Sequence, residues 1–216
     1  MLIEALFPAR CAGCGVRGGA VCASCEAALL PAPHAPAPPP LEWWAACFTY
    51  EGVAREIIAR AKYRNERAAL HVLAPRLAEA VGASPVSFDV VTWAPASRAR
   101  YAHAGVDHAA LLARVVARAH GTPVRRLLVR ADTLSQTGRV ASERRIGPQL
   151  RVAGRPLART VLVVDDVATT GGTLAAAARV LRACGARTVI AATIARTPRP
   201  GEAARIHAYT STTTCG

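Results

Sequence analysis

Short apolar runs alternate with segments of helical periodicity along most of the chain. The apolar runs have the length and the β-branched content of strands, and they lie at residues 46–50, 89–92, 160–164 and 187–195. Apolar residues spaced three and four apart predict helices at residues 53–63, 70–81, 107–119 and 173–184. Strands that are apolar throughout and alternate with helices indicate a parallel sheet covered on both faces. The predicted fold class is therefore α/β.

A proline-rich segment interrupts this pattern near the N-terminus. Residues 31–40 hold six prolines in ten positions, so we expect an extended, semi-rigid linker in which His34 is solvated. The C-terminal residues are polar and rich in threonine, which is typical of a tail. The predicted units are an N-terminal unit at 1–30, the linker at 31–41, the main domain at 42–199 and the tail at 200–216.

Four of the seven cysteines form two C-x2-C pairs, Cys11 with Cys14 and Cys22 with Cys25. Two such pairs can close a tetrahedral all-sulfur site, which suits a structural Zn2+. About 30 residues cannot bury a useful core, and metal binding can substitute for one. A redox dithiol and an iron–sulfur cluster are the alternatives. The prediction is a small zinc knuckle before the main domain.

The charge of the chain is one-sided, with 27 Lys and Arg against 14 Asp and Glu and a formal net charge of +13. Such an excess predicts a phosphate or polyanion partner, although arginine-rich codon usage would produce it too. No apolar stretch reaches the length of a membrane span, and the first residues lack the features of a secretion signal. We therefore expect a cytoplasmic protein without membrane insertion, in which cysteines bind metal rather than form disulfides.

The most informative segment is Val-Leu-Val-Val-Asp-Asp-Val-Ala-Thr-Thr-Gly-Gly-Thr at 161–173. A buried strand runs into a turn rich in hydroxyls and glycine, and the turn opens a helix. Glycines let backbone N–H groups approach a phosphate, and the helix directs its positive N-terminus at the same place. The segment therefore predicts an anion cradle. The residues that would form it are Thr169, Thr170, Gly171, Gly172 and Thr173.

Two carboxylates, Asp165 and Asp166, precede this cradle. They would repel a phosphate, but they can accept hydrogen bonds from a neighbouring diol and favour a nearby Mg2+. A sugar phosphate with free vicinal hydroxyls satisfies both the carboxylates and the cradle. A Walker A loop is excluded, because the turn has no lysine.

This segment resembles the loop of type I phosphoribosyltransferases that binds phosphoribosyl pyrophosphate (PRPP). The shared pattern is an apolar strand, two acidic residues and a short Thr/Gly turn. The resemblance implies that Asp165 and Asp166 hold the 2′- and 3′-hydroxyls of the ribose. It further implies that residues Ala168 to Thr173 hold the 5′-phosphate, with Mg2+ bound together with PRPP.

The combination of a four-cysteine knuckle with this loop resembles the ComF family of competence-associated proteins. Members join an N-terminal zinc finger to a type I phosphoribosyltransferase-like domain, which implies that fold here. The resemblance also implies a role in DNA uptake, with single-stranded DNA and a competence helicase as candidate partners. The matching elements are Phe7-Pro8, Lys62-Tyr63, Arg130 with Thr133 and Gln136, Glu143-Arg144, and residues 163–173.

Further candidates follow from this resemblance. It places the pyrophosphate loop at residues 92–98, where Arg98 and Arg100 could bind a diphosphate through their guanidinium forks. The Lys-Tyr element makes Lys62 a site candidate. His108 begins a helix, and we expect it at the surface.

The chain departs from the family in two places. The family usually shows Arg-Gly-Phe-(Asn/Asp)-(Gln/His)-Ala where residues 104–109 read Ala-Gly-Val-Asp-His-Ala, and Gly147 replaces a usual Asn. Both places belong to the region that would cover the pyrophosphate. The departures therefore favour binding of a sugar phosphate over catalysis.

Three functions from different classes stay open at this point. The first is a phosphoribosyltransferase that transfers the phosphoribosyl group to a nitrogen acceptor. The second is a non-catalytic sensor or scaffold that has kept the PRPP pocket. The third is an accessory factor of DNA uptake that binds single-stranded DNA, a role compatible with either of the other two.

Overall fold

A computed structural model describes residues 9–64, 67–97, 107–131, 148–153 and 159–202. The helices of this part of the chain are α1 (Ala23–Ala27), α2 (Gly52–Arg64), α3 (Arg67–Gly82), α4 (His108–Ala119) and α5 (Gly172–Ala183). The strands are β1 (Trp43–Thr49), β2 (Val90–Trp93), β3 (Leu128–Arg130), β4 (Leu150–Val152), β5 (Thr160–Ala168) and β6 (Thr188–Arg196). None of these helices has the length and apolar character needed to cross a membrane.

Four of the strands form a parallel sheet in the order β1-β6-β5-β2. The predicted α/β class is confirmed, and each predicted helix and strand has a counterpart within a few residues. The antiparallel pair β3–β4 was not predicted, because strands of three residues are too short to show a periodicity. β5 is longer than expected, since it continues through Asp165 and Asp166 to Ala168.

Both faces of the sheet are buried, as the continuous apolar strands predicted. On one face Leu162 and Val164 of β5 pack with α2, α3 and α4. On the other face Val161 and Val163 pack with α5 and the antiparallel pair β3–β4. Successive side chains of a strand point to opposite faces, so β5 contributes to both cores.

The proline-rich linker is extended, but it lies against the sheet rather than in open solvent. The N–H of Ala32 donates to the carbonyl of Cys47 (2.9 Å), and the N–H of Thr49 donates to the carbonyl of Leu30 (2.8 Å). These bonds occupy the outer edge of β1, which would otherwise expose unpaired backbone groups. His34 is exposed, as expected. The limits of the predicted units stay predictions.

A buried arginine fastens the linker to the end of β6. Arg196 is only 2% exposed, and its Nη2 donates to the carbonyl of Pro33 (2.8 Å). Its Nη1 donates to Glu202 Oε2 (2.7 Å), which also accepts the N–H of Arg199 (2.8 Å). A guanidinium has enough donors in one plane to serve both partners at once. The linker path is therefore fixed by the main domain.

The cysteine-rich N-terminal segment packs onto α2. Ala12 is fully buried and belongs to the core on the α2 face. A Cβ placed on Gly13 would lie 3.2 Å from Val53 Cγ1, so the backbone approaches the helix closely. Arg60 Nη1 donates to the carbonyl of Cys11 (3.4 Å). The N-terminal segment therefore shares its core with the sheet domain.

We expect Arg196→Ala to lower the free energy of unfolding by about 2–4 kcal/mol, because it leaves the Pro33 carbonyl and Glu202 without their buried charged donor. Urea unfolding measures the loss. The matched control is Arg182→Ala, which removes an ion pair with Glu42 between two part-exposed side chains and should cost less than about 1 kcal/mol. Equal losses of stability in the two variants would contradict the conclusion that the buried Arg196 holds the linker in place.

Candidate functional site

The predicted acidic pair lies inside β5, near its carboxyl end. Each carboxylate accepts the N–H of the following residue: Asp166 N–H donates to Asp165 Oδ1 (2.8 Å), and Val167 N–H donates to Asp166 Oδ1 (2.6 Å). These bonds restrict both side chains. Because side chains alternate along a strand, Asp165 belongs to the α5 face and Asp166 to the α2 and α4 face. The two carboxylates are adjacent and alike in the sequence, but the fold gives them different surroundings.

Asp166 is paired with Lys62, the only lysine of the chain. Lys62 Nζ lies 2.9 Å from Asp166 Oδ2, and both side chains are largely buried, with 16% and 11% of their surface exposed. A buried carboxylate is costly unless it is paired and hydrogen-bonded, and here both conditions are met. Lys62 and Asp166, two separate site candidates more than 100 residues apart in the sequence, are thus in direct contact.

Asp165 has a different neighbourhood. Its side chain is half-buried, and it lies in register with Thr193 of β6. Thr193 is fully buried at the same edge of the sheet. Asp165 is therefore the more accessible carboxylate of the pair.

His108 lies beside this pair, and the prediction that it is a surface residue is wrong. It is 6% exposed, and its Nε2 is 3.0 Å from the carbonyl of Ala61. A carbonyl only accepts hydrogen bonds, so Nε2 carries the proton. Burial lowers the pKa of His108, although the charge of Asp166 acts in the opposite direction. The imidazole is therefore neutral near pH 7, with its proton on the nitrogen that faces α2.

The predicted anion cradle follows β5 directly. Thr169 and Thr170 are exposed, and Thr170 Oγ1 accepts the N–H of Gly172 (3.3 Å) at the start of α5. Gly171 precedes the helix with a φ of +75°, a conformation that favours glycine. Ala168 is 4% exposed and is the last residue of β5, so its side chain is part of the core rather than of the turn.

The linker touches this turn, which the sequence did not indicate. A Cβ placed on Gly171 would lie 2.9 Å from Pro38 Cγ and 3.3 Å from Pro38 Cβ. Real Cβ atoms do not come so close, so both the positive φ and the proline require a glycine at this position. One wall of the turn is thus supplied by the N-terminal part of the chain.

The loop that follows β2 lies next to the acidic pair, because Trp93 is in register with Val164. Asp107 holds this loop: its Oδ2 accepts Trp93 Nε1–H (3.1 Å) and the N–H of Ala96 (3.2 Å). Its Oδ1 accepts the N–H of Ala110 (3.4 Å) and caps α4. Aspartate is a favoured capping residue, but no pattern in the sequence indicates the contacts of Asp107 with the loop. Several predicted positions lie outside the described residues. They are Phe7, Pro8, Arg98, Arg100, residues 104–106, Thr133, Gln136, Glu143, Arg144, Gly147 and residues 203–216 of the predicted tail.

The four predicted metal-binding cysteines come together. The sulfur atoms of Cys11, Cys14, Cys22 and Cys25 all lie within 4.8 Å of one another, and those of Cys14 and Cys22 are 3.7 Å apart. Tetrahedral coordination with metal–sulfur bonds of about 2.3 Å places sulfur atoms about 3.8 Å apart. The cluster could therefore hold one metal ion.

The thiols of Cys11 and Cys25 lie in different surroundings, which shift their pKa values in opposite directions. Burial opposes ionisation of Cys11, but hydrogen bonds from the backbone at positions 14, 22 and 13 lower the pKa of its thiol to about 6. Two of these donors, Cys22 N–H and Gly13 N–H, lie 3.3 Å from Cys11 Sγ. Burial and the neighbouring cysteine side chains raise the pKa of Cys25 to about 12. A bound cation would displace the remaining protons, so metal affinity should rise with pH.

Comparisons with solved structures find a glutamine PRPP amidotransferase and adenine phosphoribosyltransferases. The chain is 24% identical to the glutamine PRPP amidotransferase of B. subtilis, over 59% of this chain and 26% of that one, with a TM-score of 0.42. It is 19% identical to the adenine phosphoribosyltransferase of Leishmania tarentolae, over 68% and 67% of the two chains, with a TM-score of 0.41. It is 17% identical to the adenine phosphoribosyltransferase of Trypanosoma brucei, over 63% of this chain and 56% of that one, with a TM-score of 0.38.

The chain thus spans about a quarter of the length of the B. subtilis enzyme. A comparison with curated protein sequences finds no match. The family model of the phosphoribosyl transferase domain matches residues 102–214, more than half of the chain. This range includes the acidic pair and the turn at the start of α5, whereas Lys62, the linker and the cysteine cluster precede it. The chain belongs to the phosphoribosyl transferase domain family.

Proposed function

We propose that the chain binds PRPP, or a related ribose phosphate, together with Mg2+ at the carboxyl ends of β2 and β5. The observation that carries this proposal is the buried Lys62–Asp166 pair, in which Asp166 lies in the strand that leads directly into a glycine turn and the N-terminus of α5. Ligands of open α/β sheets bind at this edge. The family of the domain supports the same ligand class.

The acidic pair would bind the ribose. Asp166 already accepts hydrogen bonds from Val167 and Lys62, one at each oxygen, and a carboxylate has further lone pairs for hydroxyl groups. Lys62 also cancels the charge of Asp166, which would otherwise repel the phosphates of the ligand. Asp165 is half-buried and can accept a second hydroxyl. Because Lys62 offsets one of the two negative charges, the site can bind the diol of the ribose without repelling the nearby phosphate.

The turn would bind the 5′-phosphate. The exposed hydroxyl side chains of Thr169 and Thr170, the backbone N–H groups at Gly171 and Gly172 and the first turn of α5 offer donors to an anion. A helix of 12 residues adds its positive end to these donors. Ala168 could contribute only its backbone, because its side chain is buried.

The reaction that this site would support is displacement of pyrophosphate from the anomeric carbon. A nitrogen nucleophile would form the new N–C1 bond while the C1–O bond to pyrophosphate breaks. Mg2+ bound with PRPP would neutralise charge on the leaving pyrophosphate, and the carboxylate oxygens of the acidic pair are ligands that suit it. Arg98 and Arg100 stay proposed diphosphate ligands. A non-catalytic PRPP sensor would use the same residues without the transfer step.

The four-cysteine cluster is proposed to hold a structural Zn2+. Four thiolates fill a tetrahedral site and leave no open position for a substrate. The bound ion would fix the segment that packs on α2, from which the linker leads to the turn at Gly171. The role of the metal would be to hold this N-terminal segment in place.

A second candidate role is binding of single-stranded DNA, with a link to competence as in the ComF family. It is favoured by exposed arginines around the amino ends of the strands and on α5. Thr160 and Thr188, which open β5 and β6, lie in register, and Arg159 and Arg187 precede them. The exposed arginines of this region are Arg125, Arg126, Arg151, Arg159, Arg179, Arg182 and Arg187. A helicase partner and a cytoplasmic location belong to this same proposal.

Calorimetric titration of PRPP and Mg2+ into the zinc-loaded protein is expected to give micromolar binding. Asp165→Asn and Asp166→Asn should each weaken it about 10- to 100-fold, because each removes a charged acceptor of a ribose hydroxyl. Asp89→Asn is the matched control, since this carboxylate accepts the N–H of Thr160 at the opposite end of β5. Wild-type protein that binds no PRPP would refute the proposal. A screen of nucleobases for pyrophosphate release then separates an enzyme from a sensor.

Removal of metal by a chelator is expected to release one zinc ion per chain and to lower the Tm by about 5–10 °C, as expected for a loss of about 2–3 kcal/mol in a chain of this size. The reason is that Ala12 and Gly13 lose their fixed packing on α2. Metal analysis and thermal unfolding measure both quantities. Cys11→Ser should reproduce the effect, whereas Cys184→Ser, in the helix-terminal position after α5, should not. Iron in place of zinc would contradict the assignment.

Arg159→Ser combined with Arg187→Ser is expected to weaken single-stranded DNA binding and to reduce its salt slope by about 1.4, because two phosphate contacts are lost and each contributes about 0.7 for a single strand. Fluorescence anisotropy at several salt concentrations measures this. PRPP affinity should stay unchanged, since β5 has nine residues and its two ends lie about 25–30 Å apart. An unchanged salt slope would remove the support for a DNA-binding face at this edge.

A further inference from the structure

Two adjacent residues at the start of α4, Asp107 and His108, make polar contacts with other elements of the site. Asp107 contacts the loop after β2, and His108 contacts the last turn of α2. Neither residue belongs to the acidic pair or to the turn before α5. Their contacts therefore need an explanation beyond helix formation.

Asp107 does more than cap its helix. Capping requires one oxygen, and Oδ1 performs it by accepting the N–H of Ala110 (3.4 Å). Oδ2 accepts two further donors, Trp93 Nε1–H (3.1 Å) and the N–H of Ala96 (3.2 Å). These donors lie on either side of the point where β2 passes into the loop. One carboxylate therefore ties the loop to the start of α4.

His108 satisfies a backbone group at the end of α2. Ala61 is among the last four residues of α2, whose carbonyls lack an N–H partner within the helix. His108 Nε2–H donates to this carbonyl (3.0 Å), and the next residue along the chain is Lys62. The lowered pKa of His108 keeps the ring neutral, so the contact adds no positive charge beside Lys62.

We propose that the first turn of α4 positions two separate parts of the PRPP site: Asp107 fixes the loop after β2, and His108 fixes the α2 turn from which Lys62 reaches Asp166. Both are positioning residues that act through others and do not contact the ligand. The inference rests on the proposed function for its ligand. The two contacts themselves can be tested without any ligand.

His108→Gln and His108→Asn form a matched pair for the first contact. The amide nitrogen of glutamine can take the place of Nε2, whereas asparagine is too short to reach the Ala61 carbonyl. Because Lys62 is the only lysine, its acetylation by a limiting reagent can be followed by peptide mass spectrometry. We expect the Gln variant to keep the wild-type acetylation rate within twofold and the Asn variant to react at least fivefold faster.

The His108→Gln and His108→Asn variants should also differ in their affinity for PRPP. We expect the dissociation constant for PRPP with Mg2+ to stay within twofold in His108→Gln and to rise about tenfold in His108→Asn. Thermal unfolding identifies any variant that fails to fold. Equal behaviour of the two variants, in either direction, would overturn the role of His108, because a merely structural role would not distinguish the two amides.

Asp107→Ser tests the second contact. Serine is a good capping residue, so α4 should persist, but its hydroxyl is too short to reach Trp93 and Ala96 as well. We expect the indole N–H of Trp93 to exchange with solvent at least tenfold faster by NMR. We also expect about tenfold weaker binding of inorganic pyrophosphate with unchanged binding of ribose 5-phosphate. Equal weakening of both ligands would overturn a role confined to the loop.

These measurements separate failure of the inference from failure of the proposed function. Wild-type protein that binds neither PRPP nor pyrophosphate would refute the proposed function alone. Acetylation of Lys62 and exchange at Trp93 would then still decide whether the α4 turn holds the two segments. Unchanged values of both quantities in the Asn and Ser variants would overturn the inference whatever the ligand.

Discussion

The ion pair between Lys62 and Asp166 is the interaction around which the rest of the site is organised. A carboxylate in a strand that is buried on both faces costs free energy unless it is paired and hydrogen-bonded. Lys62 Nζ, 2.9 Å away, and the amide of Val167 supply these partners to Asp166. The pair therefore permits a polar ligand site at the end of an otherwise apolar sheet.

This requirement explains the elements that surround the pair. Lys62 is on α2, so α2 must be held against β5, and the core formed with α3 and α4 does this. The contact from His108 to Ala61 adds a directional constraint that apolar packing cannot supply. Packing thus brings the elements together, and the hydrogen bond from His108 to Ala61 orients the last turn of α2, which carries Lys62.

The N-terminal part of the chain is integrated with the domain that follows it. Ala12 lies in the shared core, the linker pairs with the edge of β1, and Arg196 binds the carbonyl of Pro33. The same linker places Pro38 against Gly171. The cysteine-rich segment and the linker therefore both pack on the main domain, and the linker reaches a turn that lies more than 100 residues further along the sequence.

Local patterns in the sequence determined the α/β class, nearly every helix and long strand, the pairing of the four cysteines and the acidic pair with its glycine turn. These features depend on periodicity and on spacings of a few residues, which a single sequence displays directly. The tertiary structure alone decided which distant residues meet. It extended β5 through the two carboxylates, buried His108, paired Lys62 with Asp166 and laid Pro38 on Gly171. Such contacts arise from the packing of α2, α4 and the linker on the sheet, and no local pattern in the sequence encodes that packing.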